Sequence, residues 1–166
     1  MHIALLLSVF VVASCGLAYE LIAGALSSYL IGDSVTQFST VIGTYLFAMG
    51  VGSYLSRFVI HNVAARFIQI ELLVGLLGGY SAVALFWVYA FLTAPFKLVL
   101  YGLVMLTGTL VGLEIPLVMR LLEKQIQFRE LVSQVLSFDY LGALLVSLLF
   151  PLVLAPQLGM VRSALL

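Results

Sequence analysis

The chain has 166 residues, of which 64% are hydrophobic and only 8% charged, with seven basic and seven acidic side chains and no net charge. Soluble domains carry about 25% charged and 45–50% apolar residues, and so few charges cannot cover the surface of an 18.0 kDa soluble protein whose mean hydropathy is +1.25. This excludes a soluble globular enzyme, a nucleic-acid-binding protein and a disordered segment, and leaves an all-α polytopic membrane protein. The single Cys15 excludes a disulfide framework and a multi-cysteine metal site.

A bilayer-crossing helix needs about 20 mostly apolar residues. In chain order, spans are predicted at about residues 3–31, 35–56, 67–93, 96–122 and 135–155. The first is interrupted only by Glu20. Glu71 lies near the start of the third, Glu114 and Pro116 lie inside the fourth, and Asp139 lies near the start of the fifth. After Pro156-Gln157-Leu158-Gly159 a new apolar run begins near residue 160. It reads as the start of a sixth span, and the chain as the front part of a longer one. Barrel strands alternate apolar and polar residues; these runs are continuously apolar and too long for strands. A helical bundle that satisfies its own backbone is the remaining architecture.

Basic residues set the orientation. Arg57 and Arg66 flank the second connection, and Arg120, Lys124 and Arg129 the fourth; only Lys97 and Arg162 fall on the other side. The N-terminus and these two connections are therefore expected on the cytoplasmic side of a bacterial inner membrane. Trp87, Tyr89 and Phe91 mark the outer boundary, and Tyr54, Phe58 and Phe67 the inner one. Val12-Ala13-Ser14-Cys15 has the form of a lipoprotein cleavage site, but no Lys or Arg precedes it and the apolar run continues past it. An uncleaved first span is the expectation. The fourth connection mixes charges with Ile126, Phe128 and Leu131. It reads equally as a short interfacial helix or as a solvated loop with an apolar anchor.

Carboxylates inside spans are costly and are functional candidates by default. Glu20, Glu71, Glu114 and Asp139 form a candidate intramembrane polar site, with no Lys or Arg deep in any of the five spans. An acid-only interior suits a cation or a proton. Small residues at four-residue spacing accompany three of them: Gly16 and Gly24 with Glu20, Gly75 and Gly79 with Glu71, Ala143 and Ser147 with Asp139. Such stripes predict close helix contacts, as do Gly108 and Gly112 on the fourth span. Pro116 cannot donate to the Gly112 carbonyl, which leaves a polar spot beside Glu114. The blander reading makes each acid a hydrogen-bonding packing group. Glu20 to Leu26 resembles Glu71 to Leu77, and Gly43-Thr44 echoes Gly108-Thr109, as in a duplicated hairpin.

Several polar signatures together carry a family resemblance. They are Cys15-Gly16-Leu17-Ala18-Tyr19-Glu20-Leu21, then Ser27-Ser28-Tyr29-Leu30-Ile31-Gly32-Asp33-Ser34, then Ala48-Met49-Gly50-Val51-Gly52-Ser53. Glu114-Ile115-Pro116, Ser137-Phe138-Asp139-Tyr140 and Pro156-Gln157-Leu158-Gly159 continue it. The sequence resembles the N-terminal transmembrane region of the membrane-bound, spermidine synthase-like polyamine aminopropyltransferases of bacteria. The resemblance implies a following soluble Rossmann-like domain that moves an aminopropyl group from decarboxylated S-adenosylmethionine to putrescine. The Gly-rich cofactor loop and catalytic acids of that domain have no counterpart here, so no catalytic residue carries over. Three functions remain open. They are a membrane anchor that also handles a polyamine, a fragment of a proton-coupled cation transporter or exporter, and a structural module forming homo-oligomers through its glycine stripes.

Overall fold

Two residues suffice to reverse the chain after its first helix. α1 (His2–Ile31) ends at Gly32, whose φ of 84° is the left-handed conformation that glycine adopts without strain. Asp33 is also left-handed, and its carboxylate accepts from the backbone N–H of Thr36 at 3.4 Å, capping α2 (Ser34–Leu55). The computed structural model describes residues 2–92, 95–123 and 127–166. α2 passes through a short 3-10 turn (Ser56–Phe58), and α3 (Val63–Phe91) and α4 (Phe96–Leu122) follow. α5 (Phe128–Leu149) then runs into a π-helical stretch (Phe150–Leu158) and α6 (Gly159–Leu165). Among the described residues there is no strand, and five helical segments are long and apolar enough to cross a membrane.

The core consists of two apolar clusters at opposite ends of the bundle. One joins Leu26, Val41, Leu85, Leu100 and Val146. The other joins Leu6, Phe67, Leu117, Leu122 and Leu131. The late part of α1 thus meets the early part of α2 and α4 and the late part of α3 and α5, so successive helices alternate in direction. The most extensive contacts join helices of like direction, α2 with α4 and α1 with α5. At the α2–α4 crossing the backbones touch. A Cβ on Gly112 would collide with the backbone of Met49, one on Gly52 with the carbonyl of Thr109, and one on Gly108 would lie 2.8 Å from the Ala48 methyl.

α5 begins at Phe128, about two turns before the predicted span. Leu131 and Val135 are fully buried, and residues 128–131 of the fourth connection form the first turn of α5. Lys124 and Ile126, in that connection, lie outside the described residues. The π-helical stretch contains Pro151 and Pro156, which lack the amides of a regular ladder. At Gly159 the backbone turns sharply, with φ 73° and ψ 169°. α6 then packs back: the Ser163 hydroxyl donates to the carbonyls of Gly159 at 2.7 Å and Leu154 at 3.0 Å, and the Ala164 carbonyl lies against Gly79 of α3.

Two glycine substitutions should move stability in opposite directions. Gly112→Ala forces apart two backbones and should cost about 1–3 kcal/mol. Gly43, on the same pair of helices, faces open space, and Gly43→Ala should be neutral or stabilising by about 0.5–1 kcal/mol. Denaturant unfolding of the detergent-solubilised protein, followed by circular dichroism, measures both.

Candidate functional site

Between the two apolar clusters lies a polar layer built by five helices. Glu20 of α1 and Glu114 of α4 are buried, at 7% and 2% exposure. Glu71 of α3 and Asp139 of α5 are half-buried. Glu71 and Glu114 each have a carboxylate oxygen, Oε1, with no solvent contact and no hydrogen-bond partner among the described residues. Glu20 and Asp139 line one cavity and Glu71 another. They do not converge on a point: among the described residues, no three His, Cys, Asp or Glu side chains are placed to hold a metal ion.

Tyr45 organises this layer. It is 3% exposed, and its hydroxyl donates to the Gly16 carbonyl at 3.0 Å. The contact is possible because Gly16 has no side chain; a Cβ there would lie 3.0 Å from the Tyr45 oxygen. Tyr45, Glu20 and Asp139 line one cavity of about 170 Å³, together with Leu17, Met49 and Ala143. Glu20 and Tyr45 also border a much smaller void, where Ser81 and Thr107 contribute hydroxyls. Both of those hydroxyls already bond backbone carbonyls of their own helices. A second, larger cavity of about 480 Å³ opens between α1 and α3, with Cys15, Tyr19 and Glu71 in its lining.

The structure places the expected acids differently from one another. Asp139 reads in the sequence as near a helix end, yet it lies about three turns inside α5 because that helix starts early. It thereby shares a cavity with Glu20. On α5 the helix-contacting position is Gly142, which meets the Phe10 backbone of α1, while Ser147 is exposed. On α3, Gly75 faces open space and is exposed; Gly78, three residues later, meets the Tyr19 ring, and Gly79 meets α6. Gly24 packs on the Phe38 ring across the first turn. The hairpin echo is not matched by environment: Glu20 is buried and Glu71 half-buried, and Gly108 is packed whereas Gly43 is open.

Sequence reasoning missed Tyr45 and Gly52 as site-building residues. Their signal was present as register: Tyr45, Ala48 and Gly52 fall on one face of α2. The basic residues also differ in role. Arg57 is exposed, its guanidinium 3.8 Å from the Tyr54 ring centroid and 4.6 Å from that of Phe58. Arg66 bonds Gln69 at 3.0 Å on the surface, and Arg129 is exposed. Arg120 instead donates to the carbonyls of Ser56 at 2.9 Å and Val59 at 3.0 Å. These carbonyls terminate the α2 segment, so α4 caps α2 with a full charge.

Substitutions at two positions separate these roles. Arg120→Ala should cost about 1.5–3 kcal/mol, the scale of hydrogen bonds to a charged group, and Arg120→Lys should restore part of it, because both bonds come from the one nitrogen Nη1 and an ammonium carries enough donors for both. Glu114→Leu should raise the unfolding midpoint of the ligand-free protein, because it removes an unpartnered buried carboxyl. Both are read from the same denaturant titration.

A polyamine aminopropyltransferase 2 of Ralstonia nicotianae is 67% identical over 164 residues, covering 98% of this chain and 32% of that protein. Polyamine aminopropyltransferase 1 of the same organism is also 67% identical over 164 residues, covering 98% of this chain and 31% of that protein. The polyamine aminopropyltransferase of Leptospira interrogans is 53% identical over 163 residues, covering 98% of this chain and 32% of that protein. No family model matches, and no solved structure matches. The chain spans about a third of the length of the curated relatives it matches. It is a homologue of the polyamine aminopropyltransferases, matched along that third.

Proposed function

We propose that this chain is the membrane-embedded N-terminal region of a polyamine aminopropyltransferase of a bacterial inner membrane. It anchors a soluble transferase domain that uses decarboxylated S-adenosylmethionine. Its buried carboxyls receive the amines of a polyamine. The match to a third of the transferases supports the anchoring role, since the remaining two thirds leave room for a soluble domain. The observation that carries the binding role is the cavity that Glu20 and Asp139 line together; Glu114 is buried elsewhere on α4 with its Oε1 unpartnered among the described residues. A buried acid without a partner is expensive unless a cation offsets it. The cavity of about 170 Å³ is below the roughly 300–1,000 Å³ of drug-sized sites and suits a slender aliphatic amine.

The orientation follows from the basic residues. With the N-terminus inside, the Arg57–Arg66 and Arg120–Arg129 connections are cytoplasmic. The reversal at Gly159 and the packing of α6 against α3 support a sixth span that returns the chain to that side.

The test uses the full-length protein in nanodiscs and equilibrium dialysis with labelled putrescine. Glu20→Gln and Glu114→Gln should each weaken binding at least tenfold while the unfolding midpoint holds or rises. Unchanged binding in both variants would overturn the polyamine site. In proteoliposomes, putrescine uptake driven by a pH gradient and lost in the same variants would favour the transporter reading.

A further inference from the structure

The seven residues of α6 lie in one end of the cleft between α1 and α3. Gly159 to Arg162 border a cavity with Leu26 and Tyr29 of α1 and Phe86 of α3, close to the C-terminal ends of both helices. Further on, the Ala164 carbonyl lies 3.3 Å from where a Cβ on Gly79 would stand. Ala164 also joins Ile22 and Ala82 in one apolar cluster. α6 therefore runs antiparallel to α1 and α3, from their ends toward their starts.

The groove of about 480 Å³ begins one turn further along the same path. On α3, Ile68, Leu72, Gly75 and Gly79 recur at three- and four-residue intervals and form one stripe. On α1, Val12, Cys15, Tyr19, Ile22 and Leu26 do the same. α6 covers the C-terminal part of each stripe, and the groove is lined by the remainder. A Cβ on Gly79 meets α6, whereas one on Gly75 meets nothing within 4 Å. Ile68 and Leu72 are exposed beside it.

Hydrocarbon solvates Ile or Leu well and gives no reason for a glycine at this place. Glycine inside a helix costs stability relative to alanine, and nothing among the described residues uses the missing side chain of Gly75. A helix continuing straight from α6 uses it as α6 uses Gly79. From the level of Gly79, α3 runs back about 24 Å to its first residue, Val63. About 16 further residues of helix cover that distance. Added to the seven of α6, they make the roughly 20 that a span requires.

We infer that the helix begun by α6 continues beyond Leu166 along the α1–α3 groove and fills it, packed on Gly75. The inference rests on the sixth span proposed above and adds its seat in the bundle. The relatives, about three times as long as this chain, have the residues to form it.

The test uses the full-length protein in its native membrane, freed of every cysteine but one anchor. The anchor is the native Cys15 or, in a Cys15→Ser background, Gly75→Cys. A second cysteine is placed in turn at each position of the three turns that follow Leu166. A disulfide needs Cα atoms about 4.4–6.8 Å apart. Oxidation with copper phenanthroline should give disulfides within one chain, recurring every three or four positions, with both anchors. Yields should be at least fivefold above those with Phe47→Cys, on an exposed face of α2. Yields at the control level throughout would overturn the proposal. Disulfides between two chains would also overturn it, since a second copy would then occupy the groove. Protease access to the region beyond the scanned turns, compared in right-side-out and inside-out vesicles, reads the sixth span separately. A cytoplasmic region without groove disulfides leaves the span standing and overturns its seat; a periplasmic one overturns both.

Discussion

The backbone contact between α2 and α4 is the constraint on which the rest of the bundle depends. Two helices that run in the same direction cannot be sequence neighbours, so their packing must be specified by side chains alone. Gly52, Gly108 and Gly112 remove those side chains where the backbones meet. In a membrane, hydrocarbon solvates Leu on either side of an interface equally well. Close approach therefore has to come from small residues and from contacts that lipid cannot imitate. Arg120 adds one such contact at the end of the same pair, where it satisfies two carbonyls that terminate the α2 segment. The crossing is pinned by glycine in its middle and by charge at its end.

That crossing sets the position of the polar layer. Gly108 meets the Tyr45 carbonyl and ring, so α4 fixes where Tyr45 stands. Tyr45 in turn bonds the Gly16 carbonyl and so fixes α1, whose next turn carries Glu20. Glu114 is two residues beyond Gly112 and is buried. The apolar clusters on either side close the ends of the bundle. An unpartnered carboxyl buried in this layer costs stability.

Much of this was legible in the sequence, and the exceptions have physical causes. Composition alone gave the helical class, because nothing else spans lipid with continuously apolar segments. The burial of Glu20 and Glu114 followed from their depth in two long runs. The i, i+4 rule misplaced Gly75. On α3 the buried positions include Phe67 and Gly79 of the stripe through Glu71, with Gly79 against α6, as well as Val74, Gly78 and Ser81 on a neighbouring face; packing against Tyr19 falls on Gly78 and not on Gly75. Asp139 was misjudged in depth because a span was measured by hydrophobic length, whereas α5 extends into a charged segment whose Leu131 and Val135 reach the core. The role of Arg120 was invisible for a related reason. A helix-end arginine reads as a topology signal, and its use as a cap on a helix more than 60 residues away exists only once the tertiary structure brings the two ends together.

The two cavities share a wall but differ in what can enter them. The Glu20–Asp139 cavity lies among α1, α2, α4 and α5 and carries an acid on each of two facing helices. The α1–α3 groove carries one acid among mostly apolar side chains. Glu114 lines neither cavity and is buried on α4. Glycine against backbone and arginine against carbonyl fix the helices and keep the two linings apart.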